Sequence, residues 1–360
     1  MSVHMVGFPP VNPNRRTLGV STLLLGLLLL PVQSVPAADL VLCSNPSRKA
    51  GNSAYWQKAQ ETHNYVVGNL LSSFGGYRNK PESAQAYEWY CVSQVYADAA
   101  MVALGEGRYR SYMKEGYAWM SNFWDTNNVA GGYFSTVNLD GTARGGGKFV
   151  DDHSLTGNVY LDCYEASPRG ACSNYLNSAK AAARWLISSG QWDKTYGGGF
   201  WWSDEKTVKP TQSNGLALQL FLRLFHLTGQ REYRDWANSV KGWLEEQMYD
   251  PSDGLYLWQI ETNGVKNHTK FTYDNAIMIE ADLLYAKVMG NQAYLAKAQD
   301  LARKLNAKLR NKTFGAYYFN SADGRVNPSW CGWASQSLIE LYRADGNNAW
   351  LDYAQQNIDY

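Results

Sequence analysis

The chain has 360 residues with 33 Lys and Arg against 32 Asp and Glu, a formal net charge of +1. Balanced charge of this size argues against nucleic acid or an anionic membrane surface as a partner. The aromatics are unusual, 14 Trp and 25 Tyr against 11 Phe; such polar-edged rings suit either a sugar-stacking groove or a well-filled core.

From the N-terminus, Arg15 and Arg16 precede the apolar run "TLLLGLLLLPV" and the small residues "SVPAAD". A basic start, a hydrophobic middle too short to span a bilayer and a Val-x-Ala site predict a signal peptide over residues 1–37. Residues 38–360 then form a single domain, secreted or periplasmic, with no membrane anchor. Removing the leader takes away two basic residues and no acids, so 31 against 32 leaves a net charge near −1. Of five cysteines, Cys163 and Cys172 flank a turn short enough for a disulfide in an oxidising compartment. No Cys/His spacing fits a metal site, so neither a metal nor another cofactor is expected. "NHT" at Asn267 and "NKT" at Asn311 match the glycosylation acceptor pattern.

The mature chain repeats itself. An aromatic followed by Ala or Gly and an amphipathic pattern begins at Tyr55, Tyr112, Tyr175, Tyr233, Tyr294 and Trp350, at spacings of 56 to 63 residues. Between copies stand glycine-aromatic turns ("FGGY", "GGYF", "GGGFWW", "DGLYLW", "FGAYYF"), each followed by a segment apolar on most faces. Amphipathic helices outside and apolar helices inside predict an all-α architecture, an (α/α)6 toroid of helical hairpins. Six outer helices are legible and five inner ones.

Inner helices that share one direction start at one mouth of the ring. There the sequence places Asp151 and Asp152, Ser213 and Asn214, Tyr273 to Asn275, and Trp330 to Trp333. Asp151 and Asp152 follow a glycine-rich loop in "GGGKFVDDHSLTGNVYLDCYE". One acid at a helix start is explained by capping. Two adjacent acids, with Cα atoms about 3.8 Å apart, also suit the roughly 5–5.5 Å carboxyl separation of retaining glycosidases, so both readings stand at this point. Of the adjacent Trp201 and Trp202, one faces the cleft and stacks on sugar; Asn214 either caps its helix or binds a hydroxyl. Tyr273, Asp274, Trp330 and Trp333 complete the substrate-binding set, and His153 is structural.

The blocks "KFVDDHSLTGNVYLDCYE", "GGGFWWSDEKTVKPTQSNGLALQLFLRLFHLTGQREYRDWA" and "FTYDNAIMIEADLLYAKVMGNQAYLAKAQ" together resemble glycoside hydrolase family 76, the α-1,6-mannanases. The resemblance covers nearly the whole mature chain in order. It implies the (α/α)6 fold and retaining, endo-acting cleavage of α-1,6-mannan or a related α-mannoside glycan. It places the nucleophile on Asp151 and the general acid/base on Asp152. The chain departs from the family pattern at Val150, Leu155 and "TYDNA", which bears on the sugar-contacting shell. The expected partner is a polysaccharide or oligosaccharide, taken by a monomer. Alternatives are a transglycosylase on the same glycans, a catalytically silent exported glycan-binding protein, and an epimerase on the same toroid.

Overall fold

A computed structural model describes residues 53–168 and 173–360; the expected signal peptide lies outside the described residues. Eleven α-helices are present among them. The outer set is α1 (Ala54–Asn69), α3 (Arg110–Trp119), α5 (Ser173–Ser188), α7 (Arg231–Trp243), α9 (Ala293–Leu309) and α11 (Asn348–Asp359). The inner set is α2 (Glu88–Ala103), α4 (Val150–Glu165), α6 (Thr211–Thr228), α8 (Thr272–Met289) and α10 (Pro328–Asp345). Each inner helix packs on its inner neighbour, from α2 through α10, and on the outer helix that follows it. The chain is a toroid of helical hairpins, as its repeat predicts, with five inner helices among the described residues.

Burial follows the two patterns read from the sequence. Every residue of α6 from Thr211 to Leu224 is buried, whereas α1 buries only Trp56 and His63. Two inner helices begin at different residues from those the apolar pattern suggests. Gln85–Tyr87 pairs antiparallel with Thr136–Asn138, in the register Ala86↔Val137, so α2 starts at Glu88. Helix α10 starts at Pro328, where a fixed φ and a missing N–H suit the first turn.

The glycine-aromatic turns and the inner helices are joined by one device used repeatedly. The fourth residue after the cap of α4, α6 and α8 is His153, Asn214 and Asn275. Each accepts the backbone N–H of the turn aromatic: Tyr133 to His153 Nε2 at 2.7 Å, Phe200 to Asn214 Oδ1 at 2.7 Å, Tyr256 to Asn275 Oδ1 at 2.8 Å. Each also bonds the cap carbonyl, of Phe149, Pro210 and Phe271 respectively. Just before each cap a lysine closes the turn onto an aspartate: Lys148 on Asp125, Lys209 on Asp193, Lys270 on Asp250. Asp193 shows the balance. Burial pushes its carboxyl up, but bonds from Lys209 and Trp201 outweigh that and hold it at about 2.

The turns pack too closely for side chains. A Cβ on Gly199, whose φ is +84°, would stand 2.4 Å from the Trp243 ring, a conformation and a clearance that glycine alone accepts.

Adjacent repeats are then zipped at the mouth. The first N–H of α2, α4, α6 and α8 donates to the next repeat's turn: Glu88 to Ser135 at 3.0 Å, Val150 to Trp202 at 2.8 Å, Thr211 to Trp258 at 2.8 Å, Thr272 to Phe319 at 3.2 Å. These bonds satisfy helix-end donors that otherwise need a cap.

Cys163 has a free, fully buried thiol packed in the core. Its side chain points into the core from α4, and Cys172, the partner expected for it, lies outside the described residues.

Candidate active site

Helix α4 projects Asp151 and Asp152 from its first turn. Successive helix residues diverge by about 100°, so the two acids lean toward different neighbours. Asp151 meets the turn that precedes α6: the Trp202 indole N–H lies 3.0 Å from both of its oxygens. Its Oδ1 also accepts the Asp152 backbone N–H at 3.1 Å, so the capping role exists alongside any other. Asp152 lies close enough to Glu88, at the start of α2, for a charge there to raise it. Glu88 is fully buried, bonded to the Thr156 hydroxyl one turn below Asp152. Glu88 was invisible in the sequence as a site residue, because it lies 63 positions upstream of Asp151 in a segment that reads as apolar helix.

Three carboxyls share this small volume and titrate apart. Burial raises Asp151 to about 6, held from rising further by the Trp202 bond and backbone donors. Burial raises Glu88 to about 8, opposed by Thr156 and reinforced by Asp151. Asp152 is raised well above the ordinary carboxyl range, by burial first and then by the charges of Glu88 and Asp151. Near neutral pH one carboxylate, Asp151, faces one protonated acid, Asp152.

The rest of the predicted set divides. Trp202 is 37 % exposed and stacks near Phe149 at a ring distance of 4.7 Å, so it faces the acids. Trp201 does not. It is 5 % exposed, donates to Asp193 at 2.6 Å and lies under Lys209, 4.7 Å from the ring centre. It fills the place that Phe134, under Lys148, takes in the previous repeat. Asn214 is likewise withdrawn: fully buried, it spends both ends of its amide on Phe200 and Pro210 backbone and has nothing left for a sugar hydroxyl. Asp274 is fully buried with both carboxyl oxygens unpartnered, so it is not on the cleft surface. Burial raises it strongly; the Gln212 backbone N–H is near enough to oppose the shift but outside bonding geometry.

Tyr273 and Trp330 come together at the mouth, ring centres 4.8 Å apart, and Trp330 meets Trp89 at 5.7 Å. Trp333 lines the adjoining axial cavity of about 420 Å³ with Trp89, Leu155 and Leu216. Trp89, Trp258 and Phe319 complete the aromatic rim. The sequence signal for two of them was available: Trp258 and Phe319 occupy, in their turns, the position of Trp202. His153 offers no chemistry to this mouth. Its Nδ1 donates to Phe149 O at 2.6 Å, its Nε2 accepts from Tyr133, and its ring stacks on Trp185 at 3.5 Å; burial lowers it to about 3.

The sequence profile of glycosyl hydrolase family 76 matches residues 142–322, just over half of the chain, including α4, α6 and α8. The chain belongs to glycosyl hydrolase family 76. This family 76 protein superposes on a GH76 α-mannanase of Bacteroides thetaiotaomicron with a TM-score of 0.76 at 22 % identity, over 88 % of this chain and 86 % of that one. A Salegentibacter α-1,6-mannanase, described as an inactive variant with two consecutive aspartates changed to asparagine and bound to α-1,6-mannotriose, gives 0.67 at 20 % identity. That likeness covers 84 % of this chain and 85 % of the other. Cellobiose 2-epimerase of Bacillus thermoamylovorans gives 0.69 at 14 % identity over 85 % and 86 % of the chains. At such identities the likeness establishes the fold alone. A curated relative, mannan endo-1,6-alpha-mannosidase of Candida glabrata, is 28 % identical over 116 residues, covering 29 % of this chain and 26 % of that protein.

Proposed function

We propose that this family 76 protein is an exported, retaining glycoside hydrolase that cuts α-1,6-mannan or a related α-mannoside glycan within the chain. The carrying observation is the division of the paired acids: the Trp202 N–H bonds both oxygens of Asp151 and favours its carboxylate, while burial and then the neighbouring carboxyls Glu88 and Asp151 favour the protonated form of Asp152. Asp151 attacks the anomeric carbon as the glycosidic bond breaks, and Asp152 donates its proton to the departing oxygen. Asp152, now ionised, takes a proton from water, which attacks the same carbon and frees Asp151. Two inversions give net retention. The rim of Trp202, Tyr273, Trp330 and Trp89 offers the stacking faces a sugar chain needs. Support for the substrate comes from the mannan-directed relatives named above. Support for export comes from the N-terminal leader pattern; among the described residues no helix is long and apolar enough to cross a membrane. The epimerase reading, which needs histidine bases, is disfavoured because both His153 ring nitrogens are spent on backbone.

The purified protein is expected to release oligosaccharides of retained configuration from an α-1,6-mannan backbone, with Asp151→Asn and Asp152→Asn each inactive. With an activated leaving group, azide should rescue Asp151→Ala to an inverted product and Asp152→Ala to a retained one. Full activity in either Asn variant would overturn the paired-acid mechanism; binding of mannan without cleavage by the wild type would make the protein a glycan-binding one.

A further inference from the structure

The acid that the mechanism leaves unused is Glu88. It comes from a different inner helix, yet two hydrogen bonds, one to its backbone and one to its carboxyl, hold it against the Asp152 face of α4. Its own N–H is tied to Ser135 O at 3.0 Å. Its Oε1 takes the Thr156 hydroxyl, and Thr156 stands four residues after Asp152, on the same face of α4. The side chain is fully buried, and its second oxygen, Oε2, has no partner. A buried carboxyl with an idle oxygen is expensive to keep unless it serves a neighbour.

Among the described residues, no cation acts on Glu88 or Asp152. Around Glu88 stand Asp151, Asp152 and Tyr160 from α4, Tyr133 from the preceding turn and Cys91 on its own helix; Tyr273 of α8 faces Asp151. The phenols are pushed up by burial and stay neutral. Neutral His153 adds no charge. Among the described residues no lysine or arginine is bonded to Glu88, Asp151 or Asp152.

We propose that Glu88 is a positioning residue for the general acid: fixed by Thr156 beside Asp152, it makes loss of the Asp152 proton unfavourable and so sets the alkaline limit of activity. This rests on the reading of Asp152 as the acid/base. As pH rises, Asp151 ionises first, and each charge then formed on Glu88 or Asp151 opposes ionisation of Asp152. Both are like charges in a water-poor site, where their effect is greatest.

The test uses Glu88→Gln, which keeps the shape and can still accept from Thr156 but cannot become charged. The alkaline limb of kcat/KM on an α-1,6-mannan oligosaccharide is expected to move about one pH unit lower, roughly a tenfold loss above the limb, with the plateau at lower pH little changed. Glu88→Asp, which restores a buried carboxyl, should return the limb toward its original place. Thr156→Val removes a bond that favours the Glu88 carboxylate. The opposing charge then forms only at higher pH, and the limb should move the same way by less. A purely structural Glu88 would alter stability or the plateau and leave the limb where it was.

Titration of the full chain labelled with ¹³C at the aspartate carboxyl reads the same shift without activity, the Asp152 signal being assigned by its loss in Asp152→Asn. An unmoved limb and an unmoved Asp152 titration in Glu88→Gln would overturn the proposal. A wild type inactive on every α-mannoside would instead overturn the substrate reading, and the titration would still decide the role of Glu88.

Discussion

Asp152 and Asp274 occupy the same register, third after the cap of their inner helices, and their surroundings separate them. Asp152 keeps a little exposed surface beside two other acids, while Asp274 is fully buried with neither oxygen bonded. A carboxyl whose folded pKa is raised favours the folded state while it stays protonated in both states, and that advantage is lost as pH climbs above its unfolded value of about 3.9. Asp274→Asn removes this dependence. Wild type and variant should melt alike near pH 4. At pH 8 the variant should melt higher by at least about 2 °C, the shift that ~1 kcal/mol produces in a chain of this size; parallel melting curves across pH would show that Asp274 has found a partner. Trp202 supplies a second residue-level test. Trp202→Phe keeps a ring at the rim but withdraws the N–H that favours the Asp151 carboxylate. The acid limb of kcat/KM should move to higher pH, measured on the same oligosaccharide.

At the scale of the element, the repeated junction explains why an amide and an imidazole are interchangeable in design. His153 accepts from its turn and donates to its cap as Asn214 and Asn275 do. His153→Asn should therefore preserve both bonds and lose mainly the stack on Trp185, about 0.5–1.5 kcal/mol. His153→Ala leaves a buried N–H and a buried carbonyl unsatisfied at about 1–3 kcal/mol each, in addition to a cavity. Urea unfolding of the two variants compares them directly; equal losses would mean that the stack, not the junction, matters. The same logic accounts for what sequence reading missed. Sequence leaves Asn214 between helix cap and hydroxyl binder, and Trp201 and Trp202 undivided, because a polar or aromatic residue at a mouth looks the same whether it faces the cleft or the preceding turn. Adjacent residues of an extended turn point opposite ways, and only the Asp193–Lys209 pair decides that Trp201 is the one turned inward.

Across the whole molecule, stability is graded around the ring. Helix α6 is buried along fourteen consecutive positions, Thr211 to Leu224. Helix α1 buries Trp56 and His63 and is tied to α11 by the exposed bond from the Tyr55 hydroxyl to Asp359 at 2.7 Å. Amide exchange should therefore open α1 well before α6, and Tyr55→Phe should hasten exchange in α1 without touching α6. Comparable protection of the two helices would place α1 within the cooperative core. Between α10 and α2 the ring is closed by side chains, the Trp89–Trp330 pair and the bond from Tyr96 to Gln336 at 3.1 Å.

The hairpin repeat, the outer and inner roles of the helices and the adjacency of Asp151 and Asp152 at a helix start are legible in the sequence, because periodicity and spacing are local properties that survive without coordinates. It also carried the family resemblance, since the glycine-aromatic turns and the Asp151–Asp152 pair are contiguous motifs. Which residues at the mouth face the cleft depends on packing between distant segments. Glu88 meets Asp152 because α2 packs on α4, and Trp258 and Phe319 reach the rim because each turn is bonded to the preceding inner helix. Burial decided the rest: it withdrew Asn214, Asp274 and Trp201 from the surface and left Cys163 facing the core. Protonation follows from the same cause, since the carboxyl values at this mouth are set first by exclusion from water, a property of the packed ring that no single stretch of chain possesses.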